Sequence, residues 1–301
     1  MFESIWNDVS NTFKRKNVVP QLILLNVIAY IVMNRSGFSL THLVCRIFGW
    51  NAGAVVDFFS LPDSLYGLAL QPWSILTYGF LHDGFFHILF NMIFLYIMGN
   101  LVQEFLGSRK LITVFIAGIL VSGFFEVMAL SGLEWWYGYH SFGFTVGASG
   151  GVMAVLAAAA TLLPDYEIQV LLWPVRLKYI FIAYFILDVL SLASASNWGG
   201  HVAHIGGALF GYLYIKDMYN KARIDTLVDK IAGLFKPKPK LKVTYRNPTS
   251  KTQAAPSKQR GYKPTQQEID AILDKISQSG YDSLTRHEKD ILFAVSNEEK
   301  N

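Results

Sequence analysis

Ser149 stands between glycines, in Gly147-Ala148-Ser149-Gly150-Gly151, with the apolar run Val152 to Leu163 directly behind it. Glycines on both sides let the backbone turn sharply and approach a ligand closely. A helix that opens at the serine presents the hydroxyl beside its own unpaired N–H groups, the positive end of the helix dipole. A serine becomes a nucleophile once a base takes its proton. The candidate base is His204, followed by Gly206, Gly207 and Gly211. Acyl transfer also needs donors aimed at the developing oxyanion. His87 and Asn91, at i and i+4 on one helix face, could supply them together with the backbone N–H of Ser149. Alone, Gly-x-Ser-Gly is equally what close helix packing produces. The depth of the other polar groups decides between the two readings.

The elements that set those depths are long apolar blocks. Of 301 residues, 52% are hydrophobic and 16% charged, the composition of an all-α polytopic membrane protein. One cysteine, Cys45, excludes an intramolecular disulfide and a Cys-rich metal site. The first apolar run, Val18 to Met33, is long for a signal-peptide core, and no small-x-small site follows it. Residues 1–16 place Phe2, Ile5, Trp6, Val9 and Phe13 at helical spacing before Lys14-Arg15-Lys16, an amphipathic, basic N-terminal segment. Six spans are expected, at about 18–35, 85–105, 111–130, 149–163, 179–195 and 201–219. The loop 36–83 is broken by Pro62, Pro72 and glycines and is expected in the outer interface. Lys14, Arg15, Lys16, Arg109, Lys110, Arg176, Lys178, Lys216, Lys221 and Arg223 fall on the side of the N-terminus, against Arg35 and Arg46 opposite. The positive-inside rule then puts both termini in the cytoplasm.

Ser149 opens the fourth span at its outer end. That span has about 15 residues, roughly 22 Å of helix, against a ~30 Å hydrocarbon core. Its mouth is therefore expected below the outer surface, where irregular backbone is tolerated only inside a bundle or beside a watery cavity. His87 and Asn91 lie near the outer end of the second span, and His201 and His204 open the sixth. Three helices distant in sequence thus bring polar residues to one level. Small residues on both sides, Gly150, Ala154, Ala157 and Ala158 against Gly207 and Gly211, would let the fourth and sixth spans pack closely and bring Ser149 Oγ within reach of His204. Gly147 joins Gly150, Gly207 and Gly211 among the expected packing glycines.

Other polar residues have plainer readings. His82 and His201 are expected to make helix–helix hydrogen bonds, with water contact at the mouth as a second role, and His140 and His287 to be surface residues. Glu126 and Asp188 are intramembrane carboxylates, functional suspects by default. Asp188 could orient a histidine as in a triad. Counted from the outer end of the fifth span, however, it lies roughly 13 Å deep, which makes it structural.

The chain resembles the rhomboid family of intramembrane serine proteases. The resemblance is carried by Leu81-His82 with His87-Ile-Leu-Phe-Asn91, by Gly147-Ala-Ser-Gly150, and by Ala203-His204-Ile-Gly-Gly207-Ala-Leu-Phe-Gly211, in that order on the second, fourth and sixth spans. Glu104 with Gly107-Ser108-Arg109 is similar to the segment after the family's second helix. The resemblance implies a Ser–His dyad without an acidic third member that hydrolyses peptide bonds in or near substrate transmembrane segments. Ser149 would then be the nucleophile, His204 the base and later the acid, and His87 with Asn91 the oxyanion hole. It also implies lateral substrate entry, with the first loop and the fifth span as gates. Two positions depart from the pattern: Trp73 is followed by Ser74 rather than arginine, and Met153 stands where an aromatic commonly packs on the base.

After Tyr219 a basic flexible linker is expected at 220–263, then a cytoplasmic helical hairpin at 264–301. Its signals are the capping boxes Thr265-x-x-Glu268 and Thr285-x-x-Glu288. Ile269, Ile272, Leu273 and Ile276 are expected on one face, with Ile291, Leu292 and Val295 on the second helix. The hairpin resembles the appendage of some bacterial rhomboid proteins, and either docks on a cytoplasmic partner or on the membrane domain, or is a passive soluble tail. The domain reading is thus 1–16, a six-helix rhomboid-like membrane domain at 17–219, the linker and the hairpin.

Two competing readings were weighed. A catalytically silent relative that binds and escorts membrane proteins should lack the serine or the histidine, and both are present. A haem or metal carrier built on His82, His87, His201 and His204 leaves Gly147–Gly151 unexplained and lacks His-Glu-x-x-His. The expectation is a multi-pass serine endopeptidase of a bacterial cytoplasmic membrane, its site open to the extracytoplasmic side. It acts on transmembrane protein substrates, needs no cofactor or metal, and has no nucleic-acid partner.

Overall fold

The computed structural model describes residues 17–35, 39–138, 143–170, 173–193, 197–220, 222–235, 265–285 and 287–292. The expected N-terminal segment 1–16, the stretch 236–264, His140 and Val295 lie outside the described residues. The chain divides into two compact units, Met1–Pro237 and Lys238–Asn301.

In the first unit a helix occupies each of the six expected segments. They are α1 (Val19–Met33), then α6 (Phe85–Leu106), α7 (Ser108–Tyr137) and α8 (Ser149–Leu162), and last α9 (Leu177–Ser191) and α10 (Trp198–Asn220). By length and composition α6 and α7 are long and apolar enough to cross a membrane; α1 and α8 are shorter apolar helices. Between α1 and α6 the chain forms four short helices, α2 (Leu40–Phe48), α3 (Ala52–Phe59), α4 (Leu65–Leu70) and α5 (Ser74–Thr77), and a strand β1 (Leu61–Pro62). Ser39, Asn51 and Ser64 cap the first three of these by accepting from the helix's first turn. β1 pairs antiparallel with β2 (Phe144–Thr145), and β3 (Glu167–Val170) pairs with β4 (Trp173–Arg176) as a hairpin between α8 and α9.

α8 is the centre of the unit. Eleven of its residues, Gly150 to Ala160, are buried, and they are small enough for three neighbours to close on them. A Cβ at Gly207 of α10 would collide with the Gly150 carbonyl oxygen, and one at Gly211 with that of Ala154. On the other side Gly118 of α7 meets Ala154, and Gly150 meets Ser122. Backbone-to-backbone contact of this kind maximises dispersion where no hydrophobic drive separates helix from lipid.

The expected linker is corrected at its start. Arg223–Phe235 forms a helix, α11, tied back onto the bundle. Tyr214 donates to Asp225 (2.6 Å), Lys110 lies 3.8 Å from the same carboxylate, and Arg109 pairs with Asp229. The polar face Asp225, Asp229 was legible as charge; its partners on α7 were not.

In the second unit α12 (Gln266–Ser279) begins with a complete capping box at Thr265 and Glu268 and ends at Gly280, whose φ is +77°. A short 3-10 turn, Tyr281–Ser283, leads to a last helix at 287–292. Thr285 and Glu288 form the second box: Thr285 N–H donates to Glu288 Oε2 (2.6 Å), and Glu288 N–H to Thr285 Oγ1 (3.4 Å). Ile272, Leu284 and Ile291 make the small core, with Ile276 and Leu292 packed against it. Leu273, expected on the buried face, is half exposed.

Two outcomes follow from this packing. Gly211→Val should lower stability by about 1–3 kcal/mol or prevent folding, read as the unfolding transition of detergent-solubilised protein. Lys275, 2.9 and 3.0 Å from the two Glu288 oxygens, and the Thr285 donors hold the Glu288 carboxyl down from 4.5 to about 2. A depressed carboxyl stabilises above its unfolded pKa and loses that contribution as pH falls through the folded one. The hairpin should therefore weaken between about pH 4.5 and 2. A carbon-13 titration of Glu288 should give a midpoint near 2, and Lys275→Ala should raise it.

Candidate active site

The site begins with the irregular stretch that delivers Ser149. Residues 143–148 run through the bundle without a helix of their own, so their peptide groups need outside partners. Gly143 N–H donates to Asp63 (3.0 Å), and Phe144 and Thr145 pair with Pro62 and Leu61. Arg35 donates to the Phe144 carbonyl (3.3 Å) and pairs with Asp57 (3.1 Å). The Thr145 hydroxyl donates to Glu126, and Gly147 N–H to the Tyr78 carbonyl (3.0 Å). Tyr78 is itself fixed by its hydroxyl on the Ile119 carbonyl (2.8 Å). Glu126, an intramembrane carboxylate of unassigned purpose in the sequence, is thus one of the struts of this segment.

Gly147 has φ +146°, a conformation L side chains rarely adopt. A Cβ there would lie 2.9 Å from His87 Nε2 and 3.3 Å from Ser149 Oγ. The missing side chain is therefore the gap across which those two atoms face one another. Ser149 is the first residue of α8, and Val152 N–H is the first to bond back, to the Ala148 carbonyl. The N–H groups ahead of it are free of helical partners. Asp83 N–H donates to His87 Nδ1 (3.4 Å), which leaves Nε2 as the protonated nitrogen, directed at Gly147. Asn91 is buried, and its Nδ2 has no hydrogen-bond partner.

A cavity of about 650 Å³ gathers these groups; Gly147, Ser149, His87, Asn91, Tyr184 and His204 all line it. The five positions singled out from sequence thus share one pocket. No hydrogen bond joins Ser149 Oγ to His204 among the described residues. His204 Nδ1 faces Asp188 Oδ1 at 2.9 Å, so Nε2 is its free nitrogen.

Two expectations need correction. Asp188 is not too deep to meet a histidine. α9 ends at Ser191 rather than near Ala195, which puts Asp188 in its last turn, level with the start of α10. Its Oδ1 contacts His201 Nδ1 (2.8 Å) as well as His204 Nδ1. His201 therefore makes the expected helix–helix hydrogen bond. These three residues also bring potential metal-ligand atoms within 4.8 Å of one another, but the hydrogen bonds use the same atoms. His82 is fully buried with its ring 5.1 Å from His87, packed edgewise, and does not reach the mouth. With methionine at position 153, the aromatic neighbour of the base comes from another helix: the ring of Tyr184 on α9 lies 6.3 Å from that of His204. The first loop is likewise anchored without an arginine at position 74. Trp73 Nε1 donates to the Phe58 carbonyl (2.8 Å) and Ser74 Oγ to that of Gln71 (2.6 Å).

The fold is a mostly helical bundle in which Ser149, His87, Asn91 and His204 line one pocket, and two of its helices are long and apolar enough to cross a membrane. The chain belongs to the rhomboid family: the Rhomboid domain matches residues 69–220, just over half of it. A family of unknown function (DUF6576) matches residues 262–298, the hairpin. The chain is 30% identical over 143 residues to presenilin-associated rhomboid-like protein A, mitochondrial, of Danio rerio (45% of this chain, 35% of that protein). It is 28% identical over 217 residues to the Mus musculus presenilin-associated rhomboid-like protein (70% and 50%). To rhomboid protease GlpG of Pectobacterium atrosepticum it is 25% identical over 203 residues (66% and 62%). The chain spans about half the length, or less, of the presenilin-associated relatives it matches. It is homologous to rhomboid proteases and is membrane-associated.

The struts on residues 143–148 are open to test. Arg35→Ala removes the charged donor to Phe144 and the partner of Asp57, and should destabilise the fold by about 1–3 kcal/mol, measured as the detergent unfolding midpoint against wild type.

Proposed function

We propose that this protein is an intramembrane serine endopeptidase that hydrolyses peptide bonds in or near transmembrane segments of membrane proteins. The observation that carries the reading is the pocket in which Ser149, His204, His87 Nε2 and the unpaired Asn91 Nδ2 converge. A buried donor without a partner costs about 1–3 kcal/mol. Of the described buried side-chain atoms without a partner, Asn91 Nδ2 is the one whose residue lines this pocket. An oxyanion formed next to Ser149 would take that donor.

In the proposed reaction His204 Nε2 accepts the Ser149 hydroxyl proton as Oγ bonds to the scissile carbonyl carbon. The carbonyl oxygen becomes an oxyanion held by the Ser149 N–H, His87 Nε2–H and Asn91 Nδ2–H. Collapse breaks the C–N bond, and the imidazolium returns its proton to the leaving amine. Water, deprotonated by the same nitrogen, then attacks the acyl carbon, and Oγ leaves with the proton. Catalytic hydrogen bonds in unliganded sites are commonly long and tighten with substrate bound.

The six apolar helices are read as six spans with both termini cytoplasmic, because the basic residues cluster at one set of helix ends. The pocket then opens to the extracytoplasmic side of a bacterial cytoplasmic membrane, and substrates enter from the bilayer. The hairpin would serve a cytoplasmic partner.

Wild type in liposomes should cleave a single-span reporter protein and take a fluorophosphonate label. Ser149→Ala and His204→Ala should each lose at least ~10³-fold in rate, and Asn91→Ala ~10²-fold. Cleavage should persist in EDTA. A Ser149→Ala protein that cleaves like wild type would refute the assignment, and silence of wild type in both assays would favour the escort role.

A further inference from the structure

One carboxylate oxygen of α9 receives two histidines of α10. Asp188 Oδ1 lies 2.8 Å from His201 Nδ1 and 2.9 Å from His204 Nδ1, while buried Oδ2 has no partner. Asp188 is 4% exposed and is the only acidic residue of its helix. An ionised carboxylate can only accept, so each facing Nδ1 must carry the hydrogen. That choice leaves the lone pair of a neutral His204 on Nε2, the tautomer able to take a proton from a serine. A simple tie between α9 and α10 would be complete with His201 alone. The second contact falls on the proposed base, on the nitrogen that selects its working form.

We infer that Asp188 is a positioning residue that fixes the tautomer and ring orientation of His204 and stabilises the imidazolium formed during acyl transfer, with His201 holding the carboxylate from its second side. This rests on the protease reading above. The proton moves from Ser149 Oγ to His204 Nε2 and on to the leaving amine; none moves onto Asp188, which answers the imidazolium with its charge. Tyr184, on the same helix as Asp188 and one turn earlier, lies against the ring at 6.3 Å and limits its rotation. The titratable groups around His204 are His201 on its own helix, Asp188 and Tyr184 on α9, and, across the pocket, His87 on α6 and Asp83 just before it. Only Asp188 brings a carboxylate into hydrogen-bond contact.

The test is Asp188→Asn in the full chain, reconstituted in liposomes. Its carbonyl can still accept from both rings, but the charge is gone. The expected result is a kcat ~10²-fold or more below wild type with KM within about twofold. Fluorophosphonate labelling of Ser149 should slow in step. The unfolding midpoint should stay near that of wild type. A folded Asp188→Asn protein with wild-type kcat would overturn the inference. Should Asp188→Asn fail to fold, Asp188→Glu decides: a folded protein with lowered kcat and unchanged KM supports positioning, and one with wild-type kcat refutes it. Failure of the underlying reading looks different, since wild type itself would then neither cleave nor label.

Discussion

Irregular backbone inside an apolar bundle must have its hydrogen bonds supplied by the rest of the chain, and residues 143–148 impose that demand here. In a membrane no water stands ready to satisfy a stray peptide group. Asp63, β1, Arg35, Glu126 and Tyr78 each answer one part of it. The short helices of the first loop make sense in this light. They carry no pocket residue themselves; they hold the strand and the carboxylates that receive β2. The reward for such a segment is a serine at the first position of a helix, with its backbone donors unspent.

Helix packing completes what the segment begins. α8 is built from glycine and alanine through most of its length, so α7 and α10 can touch its backbone directly. Bringing α10 that close fixes the height of His204, because Gly207 and Gly211 each seat on one carbonyl of α8. The same seating places His201 and His204 beside the end of α9. Close approach and polar alignment are therefore one constraint: a side chain at Gly207 would separate the helices and lift the histidines from their level together.

Much of this was legible in the sequence, and the illegible parts share a cause. The glycine-flanked serine, the His87–Asn91 spacing and the small faces of two helices are local patterns; the structure brings Ser149, His87 and Asn91 to one pocket and packs the small faces on each other. Asp188 was assigned correctly to an apolar helix but at the wrong depth, because the end of α9 carries no glycine or proline stop signal before Ser191. A four-residue error in that boundary is about 6 Å of helix, enough to turn a hydrogen-bonding partner into an apparently buried structural residue. The aromatic neighbour of His204 was sought at position 153 and lies instead at Tyr184, on another helix. The anchors of the first loop are side chain-to-backbone contacts, Trp73 to the Phe58 carbonyl and Ser74 to that of Gln71, about which periodicity carries no information. The Lys- and Pro-rich composition after Tyr219 points to a linker, whereas in α11 Asp225 and Asp229 pair with Lys110 and Arg109.

The polar groups of the pocket divide by how well they are satisfied, and the division follows their roles. His201 and His204 both donate to Asp188 Oδ1, which ties the three residues together, although buried Asp188 Oδ2 stays without a partner. Such a tie is what holds a base in one tautomer, since turning the ring would strand a donor and an acceptor together. Asn91 and the first N–H groups of α8 are the opposite case, donors held in place by packing and left without acceptors. A site that stabilises a charge appearing only during reaction needs donors of this second kind, already oriented and not engaged elsewhere. The two kinds meet at His204, which is tied to Asp188 and lines the cavity with Ser149 and Asn91.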